Sequence, residues 1–205
     1  MAGNGIILHH PAMSKEAIER RPGSSMVNYF RDIHVNRFGW SDIGYHYVLN
    51  LNTKGDWELY SGRPDYRSGA HCPGYNHWIG ICVCIDWPYG TLAEPAMYES
   101  LVQEMEGIAS QKGFDLGKET IHGHSSVYAT KCPGKLDVDR VINMVEANSK
   151  EEVAYFGPEM DIVFPDGPVT GYNYKNRSYI RVTDLRKLGY TVTYDAGQNA
   201  VIVSE

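Results

Sequence analysis

His124 and Cys132 are separated by seven intervening residues in Gly123-His124-Ser-Ser-Val-Tyr-Ala-Thr130-Lys131-Cys132-Pro133-Gly134. Far upstream, His9 and His10 close the apolar run Ile6-Ile7-Leu8. Imidazole nitrogen and thiolate sulfur are donors that zinc prefers. Two His and one Cys leave a fourth position open, as in catalytic rather than structural sites. A thiol must lose its proton to bind, so a Cys in such a set argues for a real ion. Gly123 and Pro133-Gly134 let the backbone turn sharply on either side of the pair. The spacing alone leaves two readings open, a metal site or a buried Cys beside an unrelated His. If His9, His124 and Cys132 converge, the chemistry is that of a zinc hydrolase.

Elements must bring these groups together. Ile6-Leu8 predicts a central strand ending in His9. A helix is expected over 27–38, stopped by Gly39-Trp40. Tyr45–Leu51 and Trp57–Tyr60 read as a hairpin around Thr53-Lys-Gly55-Asp, and Ile79–Ile85 as a buried strand. Residues 62–77 are dense in Gly, Pro, Asn, Asp and His, the composition of a functional loop. Pro95 opens a helix whose Met97, Leu101, Met105 and Ile108 share one face, and Gly113 ends it. Glu119–Ile121 predicts a short strand leading to His124. Leu136, Val138, Val141, Ile142 and Val145 mark a last helix. Strands interspersed with helices argue for an α/β domain with one mixed sheet flanked by helices.

Composition narrows the partners. The net charge is −6, with no basic run, so nucleic acid is not expected. No segment reaches the roughly 18 apolar residues of a membrane helix. The N-terminus lacks the basic and apolar regions of a signal peptide, so synthesis in the cytoplasm is expected, with release by another agent if the substrate lies outside. Cys82 and Cys84 lie two apart on one strand face, where a disulfide closes badly; Cys72, Cys82, Cys84 and Cys132 are read as thiols. Fifteen tyrosines and four tryptophans suit sugar or peptide binding as well as core packing. Trp40 and Trp57 are assigned to the core.

Six motifs then occur in order: Ile6-Ile-Leu-His9-His10, Gly39-Trp-Ser-Asp-Ile-Gly-Tyr45-His46-Tyr47, Gly69-Ala-His71, Gly74-Tyr-Asn76, Ile79-Gly80-Ile81-Cys82 and Gly123-His124 through Thr130-Lys131-Cys132-Pro133-Gly134. Over roughly residues 5–146 the chain resembles the type 2 N-acetylmuramoyl-L-alanine amidases, which include T7-type phage lysozyme and the animal peptidoglycan recognition proteins. The resemblance implies zinc held by His9, His124 and Cys132, and a catalytic Tyr45. Two residues before the Cys, phage members carry Lys and many recognition proteins Thr. That role falls to Thr130, and Lys131 is assigned to the surface. His71 and Asn76 border the cleft and are expected to contact substrate. The resemblance also implies that zinc activates a water and polarises the lactyl carbonyl, with Tyr45 and Thr130 stabilising the developing charge. A Thr hydroxyl is a poor general acid near neutral pH. Cytosolic recycling amidases use Asp as the third ligand and Glu after the Ile-Gly-Ile run; Cys132 and Cys82 disfavour that branch. Non-catalytic recognition modules typically lose the Cys. A Cys-dependent hydrolase using Cys132 and His124 is a weaker reading.

Other histidines are assigned bland roles. His10 and His46 each follow a residue that already has one, so alternation points them to the opposite face. His122, which alternates with His124, is read as a strand-end residue or one that supports a ligand from behind, and His34 as packing or surface. Composition changes near Ala147, predicting a catalytic domain over 1–147, a linker over 148–155 and a small α+β unit over 156–205 with a helix around Val182–Leu188. That unit resembles the stalk-like repeat named from copper amine oxidase N-terminal regions and is expected to bind cell wall or another copy of the chain, giving a homo-oligomer. A copper site is not implied, because the segment has no His or Cys. The whole reads as a zinc-dependent peptidoglycan amidase, with a residue set that disfavours a recycling enzyme and fits an endolysin of phage or prophage origin.

Overall fold

The computed structural model describes residues 5–150 and, beyond them, strand segments 153–155, 172–174, 177–181, 191–195 and 200–204. The chain divides into two compact units, Met1–Glu146 and Ala147–Glu205. In the first, strands β1 (Ile6–His9), β2 (Tyr47–Leu51), β3 (Trp57–Ser61), β4 (Ile79–Val83) and β5 (Ile121–Gly123) form one sheet in the order β3-β2-β4-β1-β5. All neighbours run parallel except the β2–β3 hairpin. The expected mixed sheet with flanking helices is present.

Register decides which side chains share a face. Ile7 pairs with Gly80 and His9 with Cys82. Because side chains alternate along a strand, these four point to one side, and Ile6 and Leu8 to the other. Ile6 and Leu8 belong to the apolar core with Ile79, Ile81 and the helices. His9 is therefore the last residue of a buried strand, on the face it shares with Ile7, Gly80 and Cys82.

Helices α1 (Lys15–Glu19), α2 (Ser25–Asp32), α3 (Pro95–Lys112), α4 (His124–Val127) and α5 (Val138–Lys150) complete the unit. Ser14 caps α1, accepting from the Ala17 amide; this short helix was not expected. The helix expected over 27–38 is α2 continued by a π-helical turn, Ile33–Arg37. Met97, Leu101, Met105 and Ile108 of α3 are all buried, as their spacing predicts. Gly113 ends α3 at φ 72°, a left-handed conformation in which a Cβ is strained. β5 starts two residues later than expected, because Gly117–Thr120 form a turn in which the Thr120 hydroxyl donates to the Asp115 carbonyl and accepts from Gly117 N. Trp57 lies in the core, but Trp40 is 38% exposed, its ring tilted against that of His34 with centroids 4.7 Å apart. All four cysteines are free.

The stretch expected as a linker holds the end of α5 and strand β6 (Val153–Tyr155). In the second unit β6 and β7 (Tyr172–Tyr174) flank β8 (Arg177–Arg181), and β9 (Thr191–Asp195) pairs with β10 (Ala200–Ser204), all antiparallel. The helix expected around Val182–Leu188 lies outside the described residues. Among those described, no helix is long and apolar enough to cross a membrane.

Leu101 joins α3 to the core with no exposed surface. Leu101→Ala is expected to lower unfolding free energy by about 2–5 kcal/mol, through lost apolar transfer and a residual cavity. Denaturant titration of the full chain checks this; a change under 1 kcal/mol would mean that α3 is not packed as described.

Candidate metal centre and cleft

Two strand ends and one loop build the site. His9 ends β1, and β5 runs straight into α4, whose first residue is His124. Both lie at carboxyl ends of adjacent parallel strands, where open α/β sheets bind ligands. The following loop returns Cys132 to the same point: its Sγ lies 3.6 Å from His9 Nδ1. The donor atoms of His9, His124 and Cys132 all fall within 4.8 Å of one another.

The chemistry of this set can be tested for fit. Zinc bonds to nitrogen and sulfur of about 2.05 and 2.3 Å, opened at the tetrahedral angle, put the two atoms about 3.6 Å apart. That is the His9–Cys132 separation. His124 Nε2 is buried with no hydrogen-bond partner. Such an atom loses free energy unless something meets its lone pair. The His10 amide donates to Cys132 Sγ at 3.3 Å, a contact that favours a thiolate. The three residues fit a zinc ion.

The electrostatics agree. Burial, then repulsion from His71, His124 and His10, pushes His9 well below 6.5. Burial lowers His124 also. Both imidazoles are thus neutral at neutral pH, as ligands must be. Burial pushes the Cys132 thiol up to about 12. Without a cation beside it this sulfur is a poor nucleophile, since a nucleophilic Cys needs a depressed pKa.

A cleft of about 430 Å³ opens over the three donors, lined also by His10, Tyr45, His71, Trp87, Thr130 and Lys131. Its size suits a small ligand or a few residues of a larger one. The Tyr45 ring lies 5.3 Å from that of His9. Its hydroxyl meets the Cys82 thiol, and burial raises its pKa far above 10, so the phenol stays protonated and able to donate. His34, buried in the π-helical turn, backs the Tyr45 ring at 5.6 Å and accepts from the Gly44 amide. Thr130 Oγ1 accepts from the Cys132 amide at 3.2 Å, leaving its proton to donate elsewhere.

Several expectations change. His71 lines the cleft, as its loop suggests, but it is buried and its Nδ1 lies 3.0 Å from His9 Nε2. Burial drives its pKa down to about 3. Asn76 does not line the cleft; its Oδ1 accepts from the amides of His71 and Cys72, bracing the loop. Lys131 is exposed yet lines the cleft. His10 lines it as well, contacting Trp87 at 5.2 Å. Alternation placed His10 on the far side, but β1 ends at His9 and the pleat ends with it. Trp87 carried no sequence signal as a site residue. His46 braces the sheet, its Nδ1 accepting from Gly80 N and its Nε2 donating to Arg67 O. His122 stacks on Trp78, with ring centroids 5.3 Å apart.

Comparison with known proteins places this arrangement. The sequence model of the N-acetylmuramoyl-L-alanine amidase family (Amidase_2) matches residues 1–135. Peptidoglycan-recognition protein SC1a of Drosophila melanogaster is 33% identical over 129 residues, which are 62% of this chain and 66% of that protein. The chain thus spans slightly less than two thirds of that relative's length. N-acetylmuramoyl-L-alanine amidase LysC from Clostridium intestinale has a similar fold, with TM-score 0.54, 23% identity, and coverage of 71% of this chain and 87% of that one. The Ph2119 endolysin from a Thermus scotoductus bacteriophage gives TM-score 0.55 at 20% identity, covering 70% and 84%.

Asn76→Ala removes one acceptor from two backbone donors. It is expected to cost about 1–3 kcal/mol and to speed amide exchange at His71 and Cys72 selectively. Unchanged protection at both amides would show that Asn76 does not hold this loop.

Proposed function

The chain belongs to the N-acetylmuramoyl-L-alanine amidase family, and on that premise we propose that it is a zinc-dependent hydrolase cutting the amide between the lactyl group of N-acetylmuramic acid and L-alanine in peptidoglycan. The observation that carries this reading is the convergence of His9, His124 and Cys132 at the floor of a cleft that Tyr45 and Thr130 also reach. Zinc bound there would supply Lewis acidity to the carbonyl and an activated water. The protein residues do the rest. His9 and His124, kept neutral by burial, and Cys132, favoured as thiolate by the His10 amide, would hold the ion. Tyr45 donates a hydrogen bond to the oxygen on which charge develops, and the Thr130 hydroxyl does so from the Cys132 loop. The lining of the cleft contains no carboxylate, and Lys131 is its one permanent charge. That balance suits the carboxylate-bearing stem peptide of peptidoglycan.

Binding without catalysis is the second reading, because the curated relatives include proteins named for peptidoglycan recognition. The complete donor set with Tyr45 supports catalysis over it. We propose a lytic role on the cell wall after release from the cytoplasm; the endolysin neighbours share the fold. We further assign residues 156–205 to wall binding or self-association, with the chemistry confined to 1–147.

Cys132→Ser is expected to remove most bound zinc and nearly all release of new amino termini from purified peptidoglycan. Metal analysis and amino-group assay on the same samples read both. A variant with full zinc and full activity would sink the ligand assignment. Tyr45→Phe is expected to retain zinc while turnover falls by roughly 10²-fold, the scale of a lost oxyanion donor. Zinc loss in step with activity would instead give Tyr45 a structural role.

A further inference from the structure

His71 occupies an unusual place. Its ring is clamped between two glycines: a Cβ on Gly69 or on Gly80 would each lie 2.5 Å from His71 Cδ2. Its amide is held by Asn76 Oδ1 at 2.8 Å. Both ring nitrogens are engaged. Nε2 lies 3.0 Å from the Trp78 carbonyl oxygen. Nδ1 lies 3.0 Å from His9 Nε2.

These contacts fix the protons in sequence. A carbonyl only accepts, so His71 Nε2 carries a hydrogen. The ring is buried, which disfavours its doubly protonated form. Nδ1 is then a lone pair, and His9 Nε2 must donate to it. His9 Nδ1 is left as the lone pair facing Cys132. We propose that His71 is the positioning residue of the metal centre: through the chain Trp78 carbonyl, His71, His9 it locks His9 in its Nε2–H tautomer, with Nδ1 presented to the ion. A ligating imidazole whose other nitrogen donates to a fixed acceptor is better oriented and more basic. The role also accounts for Gly69, Gly80 and Asn76, which make the space and hold the loop. It rests on the zinc reading above.

The test uses the full chain, ¹⁵N-labelled and stripped of metal with a chelator. Long-range proton–nitrogen correlation at pH 7.5 reports which ring nitrogen of His9 carries hydrogen. Nε2 protonation is expected, with a nitrogen–nitrogen coupling across the bond to His71 Nδ1. His71→Phe keeps the ring's bulk but has no acceptor. It should leave His9 in mixed tautomers and weaken zinc binding by roughly 10–100-fold. His71→Asn offers a carbonyl in place of Nδ1 and should recover most of both. A wild-type His9 protonated on Nδ1 would overturn the inference even if neither variant folds. So would a folded His71→Phe chain with unchanged tautomer and zinc affinity. If the unmodified chain takes up no zinc, the metal reading falls, while the His9 spectrum still decides whether His71 sets the tautomer.

Discussion

Burying an imidazole costs free energy for each nitrogen left without a partner, and His9, at 1% exposure with a group facing each nitrogen, is the polar group on which the site turns. Its position at the end of β1 is set by the parallel ladder with β4 and β5. One nitrogen is met by His71. The other faces Cys132. The glycine-rich loop before β4 exists in this form to deliver His71, and the loop after α4 to deliver Cys132. Cleft, loop conformations and the bare backbone at Gly80 follow from satisfying one side chain.

The same burial shapes the electrostatics. Four imidazoles line the cleft, and for His9, His10, His71 and His124 desolvation is the largest cause of a lowered pKa. A cluster of neutral donors is what a cation requires and what an anionic nucleophile does not. Burial raises Cys132 and Tyr45 for the same reason. Each is thus held protonated until a cation or a developing oxyanion draws on it. A Cys–His hydrolase would need the opposite arrangement, with a depressed thiol beside an imidazolium.

Much of the fold is legible in the chain. Apolar runs and 3.6-residue spacing locate β1, β4, α3 and α5, because their side chains meet a core with the same periodicity. Boundaries shift where local contacts, not propensity, set the end: Thr120 delays β5, and a π-helical turn completes α2. Short α1 rests on one Ser14 cap. Trp40 looks like core by residue type, yet it stands partly exposed just after Gly39, which takes a left-handed φ of 72°.

The sequence by itself determined the donor types, their order and their flanking turn residues, since Gly, Pro, His and Cys each carry their chemistry locally. Which atoms meet was decided only by tertiary structure. His71 and Asn76 read alike as polar loop residues, but one ring slides over Gly80 beneath His9 while the other amide turns back to its own loop. His10 and Lys131 looked outward by alternation and by position, but both line the cleft once their strand and loop end. Tautomers, burial and close approach belong to contacts between residues up to 123 apart in the chain, as for His9 and Cys132, and no local pattern encodes a distance across a sheet.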